Sequence, residues 1–265
     1  MSGHIAPFHF TDAIVRRPAK SVVSGLRAED RGAPAYEGVI AEHDAYIAAL
    51  RSAGVEVTVL PPLEAFPDSI FVEDPALVFT EGAIMMRPGA PSRLDEVREI
   101  APVLRDMFDN VLELPIPGFA EGGDILTTPR SVMIGLSSRT DLDGAKGLQN
   151  CLAKLGRESR IVETPAGVLH FKTDCSLLDE EIVLSTQRLA ASGVFEDFET
   201  VIIPGGEEAA ANALRVNDVV FVGSDFPRTI EILAKRGYDV VPLATSQIGK
   251  IDAGLSCMSL RWRRA

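Results

Sequence analysis

A cysteine near the end of the sequence follows a glycine turn and precedes a short apolar stretch. Cys257 lies in the segment 254–258, which reads GLSCM. A nucleophilic cysteine needs exposure at the end of a strand or helix, and nearby positive charge to favour its thiolate. The position of Cys257 is compatible with that role, and a buried structural cysteine is the alternative. Cys151 fits the structural alternative because it lies on an apolar helix face, and Cys175 is ambiguous.

Two further side chains are candidates for acid–base chemistry. His170 lies in the apolar segment 168–171, where a polar group must be either hydrogen-bonded or functional. A core histidine bonded to the backbone is the alternative. Glu121 precedes Gly122 and Gly123, and glycines allow the backbone to come close to a ligand or another strand. A carboxylate there could orient a histidine, as the third member of a catalytic triad does. An ordinary acidic turn would give the same pattern.

Paired carboxylates and separate arginines indicate how a charged ligand would bind. Glu73 and Asp74 follow the apolar run 70–72. Two adjacent carboxylates suit a planar guanidinium, which donates paired hydrogen bonds. A solvated loop is the alternative. Arg93 and Arg139 are placed to receive a carboxylate, although most arginines are simply surface residues.

The composition excludes several classes of function. The 265 residues carry 26 Lys and Arg against 38 Asp and Glu, a net charge of −12, which argues against nucleic-acid binding. No apolar run approaches the ~20 residues that span a bilayer, and the polar N-terminus does not resemble a signal peptide. We therefore expect a cytoplasmic protein without a membrane partner.

Common cofactor and metal motifs are missing from the sequence. The three cysteines are too widely spaced for a disulfide framework or zinc ribbon. There is no H-E-x-x-H, C-x-x-C, phosphate-binding loop, dinucleotide fingerprint or G-x-S-x-G elbow. These absences disfavour a nucleotide-binding protein, a dinucleotide-binding protein and a serine hydrolase.

The elements that must position these residues form a loose repeat. Amphipathic helices alternate with short strands that end at a proline, and the prolines are separated by 54, 50, 39 and 38 residues. The pairs are Leu60-Pro61, Leu114-Pro115, Thr164-Pro165, Ile203-Pro204 and Val241-Pro242. Polar clusters follow each proline, so a cyclic repeat would bring them to one axis. The pattern predicts an internal repeat that fills one domain, 1–265, and a propeller is one architecture that such a repeat forms. The alternative is that proline simply ends strands, as it does in many α/β proteins.

Five motifs, in order along the chain, closely resemble the dimethylarginine dimethylaminohydrolase family. They are the segments 66–75, 87–93, 135–140, 169–173 and 250–257. This family is part of the superfamily of guanidine-modifying amidinotransferases and arginine deiminases. The resemblance extends from about residue 12 to residue 260. It implies a five-bladed pseudosymmetric α/β propeller of repeated ββαβ-type units, which agrees with the proline-marked repeat.

The same resemblance implies hydrolysis of Nω-methylated arginine to citrulline and a methylamine, without cofactor or metal. It assigns Cys257 as nucleophile, His170 as acid and base, and Glu121 as the carboxylate that orients His170. The remaining implied residues bind a small cationic amino acid: Glu73 and Asp74 at the guanidinium, Asp68 and the carbonyl of Leu26 at the α-amino group, Arg93 and Arg139 at the α-carboxylate, and the backbone of Ile251 along the pocket.

Three alternatives remain. An arginine deiminase-type enzyme would act on unmethylated arginine, but those enzymes resemble a His-x-Asp pattern and here Lys172 stands two residues after His170. An amidino-transferring enzyme would need an amine acceptor site that the sequence does not reveal. A non-catalytic binding protein for arginine-like ligands would not need Cys257. Asp174 would change substrate preference if it faced the pocket. The sequence does not indicate an oligomeric state.

Overall fold

The computed structural model describes residues 6–28 and 30–264. The α-helices in this part of the chain are α1 (Tyr36–Ser52), α2 (Glu96–Met107), α3 (Leu142–Lys154), α4 (Gln187–Ala190) and α5 (Pro227–Lys235). The helices bury one face each. In α1, for example, Val39, Tyr46 and Leu50 are fully buried at helical spacing. None of the helices is long and apolar enough to cross a bilayer.

The strands of the described residues are short and pair in threes. They are β1 (Asp12–Arg16), β2 (Glu56–Leu60), β3 (Ala76–Phe79), β4 (Gly82–Met85), β5 (Val111–Glu113), β6 (Ile125–Thr127), β7 (Val132–Leu136), β8 (Ser159–Glu163), β9 (Cys175–Leu177), β10 (Ile182–Ser185), β11 (Glu199–Ile202), β12 (Leu214–Val216), β13 (Val219–Gly223), β14 (Asp239–Leu243) and β15 (Leu260–Trp262). Within residues 6–28 and 30–264 they form five three-stranded sheets.

Each sheet is one ββαβ unit. In the sheet β3-β4-β5, β3 runs antiparallel to β4, and α2 then crosses over so that β5 pairs with β4 in parallel. The same order recurs in β6-β7-β8, β9-β10-β11 and β12-β13-β14. The fifth sheet, β15-β1-β2, joins strands from the two ends of the sequence. The five units confirm the five-bladed α/β propeller.

The proline-marked strands are the third strands of these units. Pro61, Pro115, Pro165 and Pro204 follow β2, β5, β8 and β11 directly or after one residue. Pro242 differs, because it lies inside β14 and does not end it. β14 lies at the edge of its sheet, where a missing backbone N–H removes no hydrogen bond that the sheet requires.

Candidate functional site

The polar side chains converge because each precedes the first strand of a different unit. Asp74 lies before β3, Glu121 before β6, His170 before β9, Asn212 before β12 and Cys257 before β15. The ligand atoms of Asp74, Glu121 and His170 lie within 4.8 Å of one another. One small cavity, about 40 Å³, is lined by eight of the ten residues that the sequence assigned to the site. Glu73 and Glu121 are the two that do not line it.

Cys257 is presented by a 3₁₀ turn, Leu255–Met258, just before β15. Burial raises the pKa of its thiol to about 11, and the carboxylates of Glu73 and Asp74 add to the shift. The thiol therefore stays protonated at neutral pH unless a cation enters the cavity.

Asn212 is a site residue to which the sequence assigned no role. Its Nδ2 lies 3.6 Å from the Sγ of Cys257, and its Oδ1 accepts the Ser256 N–H at 3.0 Å. A Cβ on Gly254 would lie 2.2 Å from the Asn212 amide carbon, so only glycine permits this contact. The amide therefore holds the turn that carries the thiol. The available signal was its place among the polar residues that follow Pro204.

His170 and Glu121 form a close pair. His170 Nε2 lies 2.6 Å from Glu121 Oε2. Burial lowers the pKa of His170, but Asp124, the hydrogen bond to Glu121 and Asp74 outweigh it and raise the pKa to about 9. His170 is therefore an imidazolium at neutral pH, the form that can donate a proton. Asp124 is itself fully buried and accepts hydrogen bonds from Ser137, Thr140 and the Phe171 N–H.

Backbone groups fix the position of the Glu121 carboxylate. Its Oε1 accepts the N–H groups of Gly89 at 2.9 Å and Ala90 at 3.3 Å. The following glycines permit close packing: a Cβ on Gly122 would lie 2.0 Å from the Glu73 carbonyl oxygen, and one on Gly123 would lie 2.8 Å from the His170 ring. The glycine turn was expected to allow such an approach, and it does.

Arg93 and Asp74 form a buried ion pair beside the cavity. The Arg93 guanidinium donates to Asp74 and Glu96 and to the carbonyl oxygens of Asp68 and Phe71. Despite burial, Arg93 and His170 hold the pKa of Asp74 below its usual range. Asp74 is therefore ionised and can receive a cation. Most of the Arg93 donors are already used within the protein, so Arg93 also positions Asp74.

Glu73 is placed differently from the expectation that it faces the pocket with Asp74. Its Oε1 pairs with Lys172 and, at 3.1 Å, with Arg261, and its Oε2 accepts the Ser256 hydroxyl at 3.2 Å. The side chains of all four residues are at least nine-tenths buried. Both residues lie in the turn that precedes β3, and of the two carboxylates only that of Asp74 lines the cavity. Glu73 lies directly behind Cys257, whose carbonyl accepts the Glu73 N–H at 3.3 Å.

The other predicted substrate contacts lie around the mouth of the cavity. Leu26, Asp68, Arg139 and Ile251 all line it. The Leu26 N–H donates to Asp68 Oδ1 at 2.9 Å, and burial raises the pKa of Asp68. Arg139 is partly exposed and donates to Glu121 Oε1 at 3.3 Å. Arg139 therefore links the cavity mouth to the carboxylate that contacts His170.

Asp174 does not face the cavity. It is buried and accepts the Thr186 hydroxyl at 2.7 Å and the Arg188 Nη2 at 2.6 Å. Its charge is thus compensated within the unit β9-β10-β11, and it does not alter the substrate pocket.

Asp74, Glu121 and His170 also form a donor set that a metal ion could use. Metal ligation needs a neutral imidazole, whereas the pKa of His170 is raised to about 9. A metal ion here would have to displace the proton that the surrounding carboxylates hold on the ring.

The chain is similar to known proteins over almost its full length. Residues 29–156 match the family model described as N,N dimethylarginine dimethylhydrolase, eukaryotic. The N(G),N(G)-dimethylarginine dimethylaminohydrolase of Pseudomonas aeruginosa is 40% identical over 254 residues, covering 96% of this chain and 100% of that protein. The protein of the same name from Streptomyces coelicolor is 30% identical over 255 residues, covering 95% and 96%.

A solved structure of the Pseudomonas enzyme shares the fold. That structure, a cysteine-to-serine mutant complexed with citrulline, superposes with a TM-score of 0.93 at 40% identity, covering 96% of this chain and 100% of that one.

Proposed function

The chain belongs to the dimethylarginine dimethylaminohydrolase family, and we propose that it hydrolyses Nω-methylated L-arginine to L-citrulline and the corresponding methylamine. One observation carries the proposal: Cys257, His170 and Asp74 line the same cavity. A nucleophile, a proton donor and an anion for the guanidinium are thereby brought together. The proposal treats residues 1–265 as one catalytic domain.

In this proposal the substrate is held at both ends. The guanidinium binds at Asp74, whose pKa is held low by Arg93 and His170 although burial opposes this. The α-amino group lies at Asp68 and the backbone of Leu26, and the α-carboxylate at Arg139. A cavity of about 40 Å³ is too small for the whole amino acid, so the mouth must widen as the substrate enters.

The first chemical step forms a carbon–sulfur bond. The bound cation lies close to Cys257 and lowers the pKa of its thiol, which offsets the effect of burial and of the two carboxylates. The thiol releases its proton to solvent, and the thiolate attacks the guanidinium carbon to give a tetrahedral adduct. His170, as the imidazolium, protonates the methylated nitrogen, and the carbon–nitrogen bond breaks to release dimethylamine or methylamine. A thiouronium-type intermediate remains on Cys257.

The second step returns the enzyme to its starting state. Neutral His170 takes a proton from a water molecule, which attacks the same carbon. The added hydroxyl then loses its proton as the carbon–sulfur bond breaks, so that citrulline is released and the departing thiolate takes up a proton to become the thiol again. Glu121 keeps the ring oriented through both steps and stabilises the imidazolium, which is the role of the third member of a triad.

Lys172 distinguishes this proposal from a deiminase of plain arginine. In the deiminase pattern an aspartate two residues after the histidine binds the guanidinium, but here Lys172 pairs with Glu73 behind the site. A cation at this place leaves Asp74, which lines the cavity beside His170, as the carboxylate for the guanidinium. We therefore expect the methylated substrates to be preferred.

The test is citrulline release from asymmetric dimethylarginine, monomethylarginine and arginine, compared as kcat/KM. We expect the methylated substrates to be turned over well above arginine. Preference for arginine would move the chain to the deiminase class with the same catalytic residues. No citrulline from any of the three would refute the proposal.

Location and partners rest on composition alone. A cytoplasmic location and the lack of nucleic-acid and membrane partners stay predictions, and the charge of −12 supports the lack of a nucleic-acid partner. The partner that we propose is the small cationic substrate.

A further inference from the structure

A second cavity of about 440 Å³ lies behind the one at Cys257. Its wall includes residues of β3, β6, β9, β12 and β15, the first strand of every unit, so it lies on the propeller axis. The site residues precede these strands, whereas turn residues after them, such as Glu81 and Pro129, line the second cavity. It therefore opens at the opposite end of the axis from the catalytic cavity.

The two cavities are separated by the buried cluster around Glu73. Glu73, Lys172, Ser256 and Arg261 all line the second cavity and bond to one another. None of these four residues lines the catalytic cavity, whereas Asp74 and Cys257, the sequence neighbours of Glu73 and Ser256, do. A ligand in the second cavity would therefore not contact the thiol.

The second cavity is positively charged although the whole chain carries −12. Five cationic residues line it, namely Arg157, Lys172, Arg215, Arg261 and Arg263, against two carboxylates. One carboxylate, Glu81, pairs with Arg157 at 2.8 Å, and the other, Glu73, is shared by Lys172 and Arg261. The wall thus has an excess of three positive charges. Like charges gathered around one cavity repel unless an anion binds between them.

Two polar atoms in this wall have no hydrogen-bond partner among the described residues. They are the Nε of Arg261, whose side chain is 9% exposed, and the hydroxyl of Ser176. An arginine N–H can only donate, so it requires an acceptor. Buried donors are normally satisfied, and an unpaired one is costly. Both atoms are suited to an oxyanion.

The rest of the wall mixes hydroxyl-bearing residues with apolar and aromatic ones. Phe8, Phe79 and Trp262 line the cavity, and the Arg215 guanidinium lies over the Phe8 ring, 5.2 Å from its centroid. The volume falls in the range of small-molecule sites, which combine apolar walls with a few polar groups. We propose that this cavity binds a small organic anion, an apolar or aromatic body that carries one carboxylate.

The sequence contains a built-in reporter for this proposal. Trp262 is the only tryptophan of the chain, and it lines the second cavity but not the catalytic one. The probe is 4-iodobenzoate, whose iodine quenches indole fluorescence on contact. The matched probe is 4-iodobenzylamine, which has the same ring and the opposite charge. We expect saturable quenching by the carboxylate and only weak, linear quenching by the amine.

Two variants locate the binding. The double variant Arg215→Gln/Arg263→Gln removes two positive charges that form no ion pair with the described residues. We expect the affinity for 4-iodobenzoate to fall about tenfold. The control, Arg98→Gln with Arg105→Gln, removes two exposed charges of α2 and should leave the affinity unchanged. If the double variant is unstable, Arg263→Gln alone should weaken binding, since this residue is exposed. Equal or non-saturable quenching by both probes, or unchanged affinity in the Arg215/Arg263 variants, would overturn the proposal.

Discussion

The side-chain amide of Asn212 lies against the sulfur of Cys257, with Nδ2 3.6 Å from Sγ. The amide N–H points to where a thiolate would carry its charge, and the amide oxygen fixes the turn through the Ser256 N–H. Asn212 therefore stabilises the reactive form of the nucleophile and also positions it.

The variant Asn212→Asp tests this role, because it keeps the shape but replaces a donor with a negative charge. We expect the pKa of the thiol to rise by about one unit and kcat to fall at least about tenfold, with a smaller change in KM. The measurement combines steady-state kinetics with the pH dependence of thiol alkylation. Asn150→Asp, an exposed position on α3, is the control for added charge. A variant with wild-type kcat and alkylation profile would show that Asn212 has no such role.

A reagent that carries a positive charge like that of the substrate should increase the reactivity of the Cys257 thiol. Since burial first and then Glu73 and Asp74 raise the pKa of Cys257 to about 11, 2-chloroacetamide should alkylate it slowly at pH 7.5. Its rate should rise about tenfold per pH unit below that pKa. The amidinium 2-chloroacetamidine, of almost the same size, should react much faster at pH 7.5. Cys257→Ser is the control, since Cys151 and Cys175 are buried. Fast reaction with the neutral reagent at neutral pH would contradict a protonated resting thiol.

Asp74 and Glu73 should respond differently to loss of charge. Asp74→Asn removes the cavity carboxylate that lies beside His170, so we expect KM for dimethylarginine to rise about tenfold or more. Glu73 does not line the cavity and pairs with Lys172 and Arg261 instead. We therefore expect Glu73→Gln to raise KM less than Asp74→Asn does. Thermal unfolding of both variants separates a binding effect from loss of the Arg93 ion pair. Glu231→Gln, on the exposed face of α5, is the control. Unchanged KM and kcat in both variants would remove the two residues from the site.

His170 should stabilise the fold in a pH-dependent way. Burial lowers its pKa, but Asp124, Glu121 and Asp74 raise it from about 6.5 to about 9, so the folded state holds the proton more tightly. This contribution is fully present below about pH 6.5 and is lost as the pH rises through about 9, with a limit of about 3 kcal/mol. Urea unfolding of wild type and His170→Gln between pH 6 and pH 10 measures it. The difference in unfolding free energy between the two proteins should shrink with rising pH. A constant difference would contradict the raised pKa.

The repeat and the residues on its axis could be predicted because both produce recognisable patterns of neighbouring residues in the sequence. Prolines after the third strands and glycine-flanked polar clusters before the first ones are short-range signals. The pairing of β15 with β1 could not be predicted, because two strands so far apart in sequence leave no local pattern. The sequence also did not show that β14 continues past Pro242. The same holds for the direction in which Glu73 faces.

The limits at the site have a physical cause as well. The sequence singled out Lys172 only as a departure from another pattern, and its pairing with Glu73 depends on two units meeting at the axis. The Asn212 side chain is neutral and does not titrate. Its residue type alone therefore did not suggest that it lies beside the catalytic cysteine. Arg93 was expected at the substrate, and its pairing with Asp74 and Glu96 appears only once the loops are folded together.

The most direct test of the central claim is the variant Cys257→Ser, assayed for turnover and for binding. Serine keeps the size of the side chain but is a far weaker nucleophile at neutral pH. We expect citrulline release from dimethylarginine to be abolished while calorimetric binding of the substrate is largely retained. Cys151→Ser, at a buried cysteine on α3, should keep full turnover. Citrulline release at the wild-type rate from Cys257→Ser would contradict covalent catalysis by this residue.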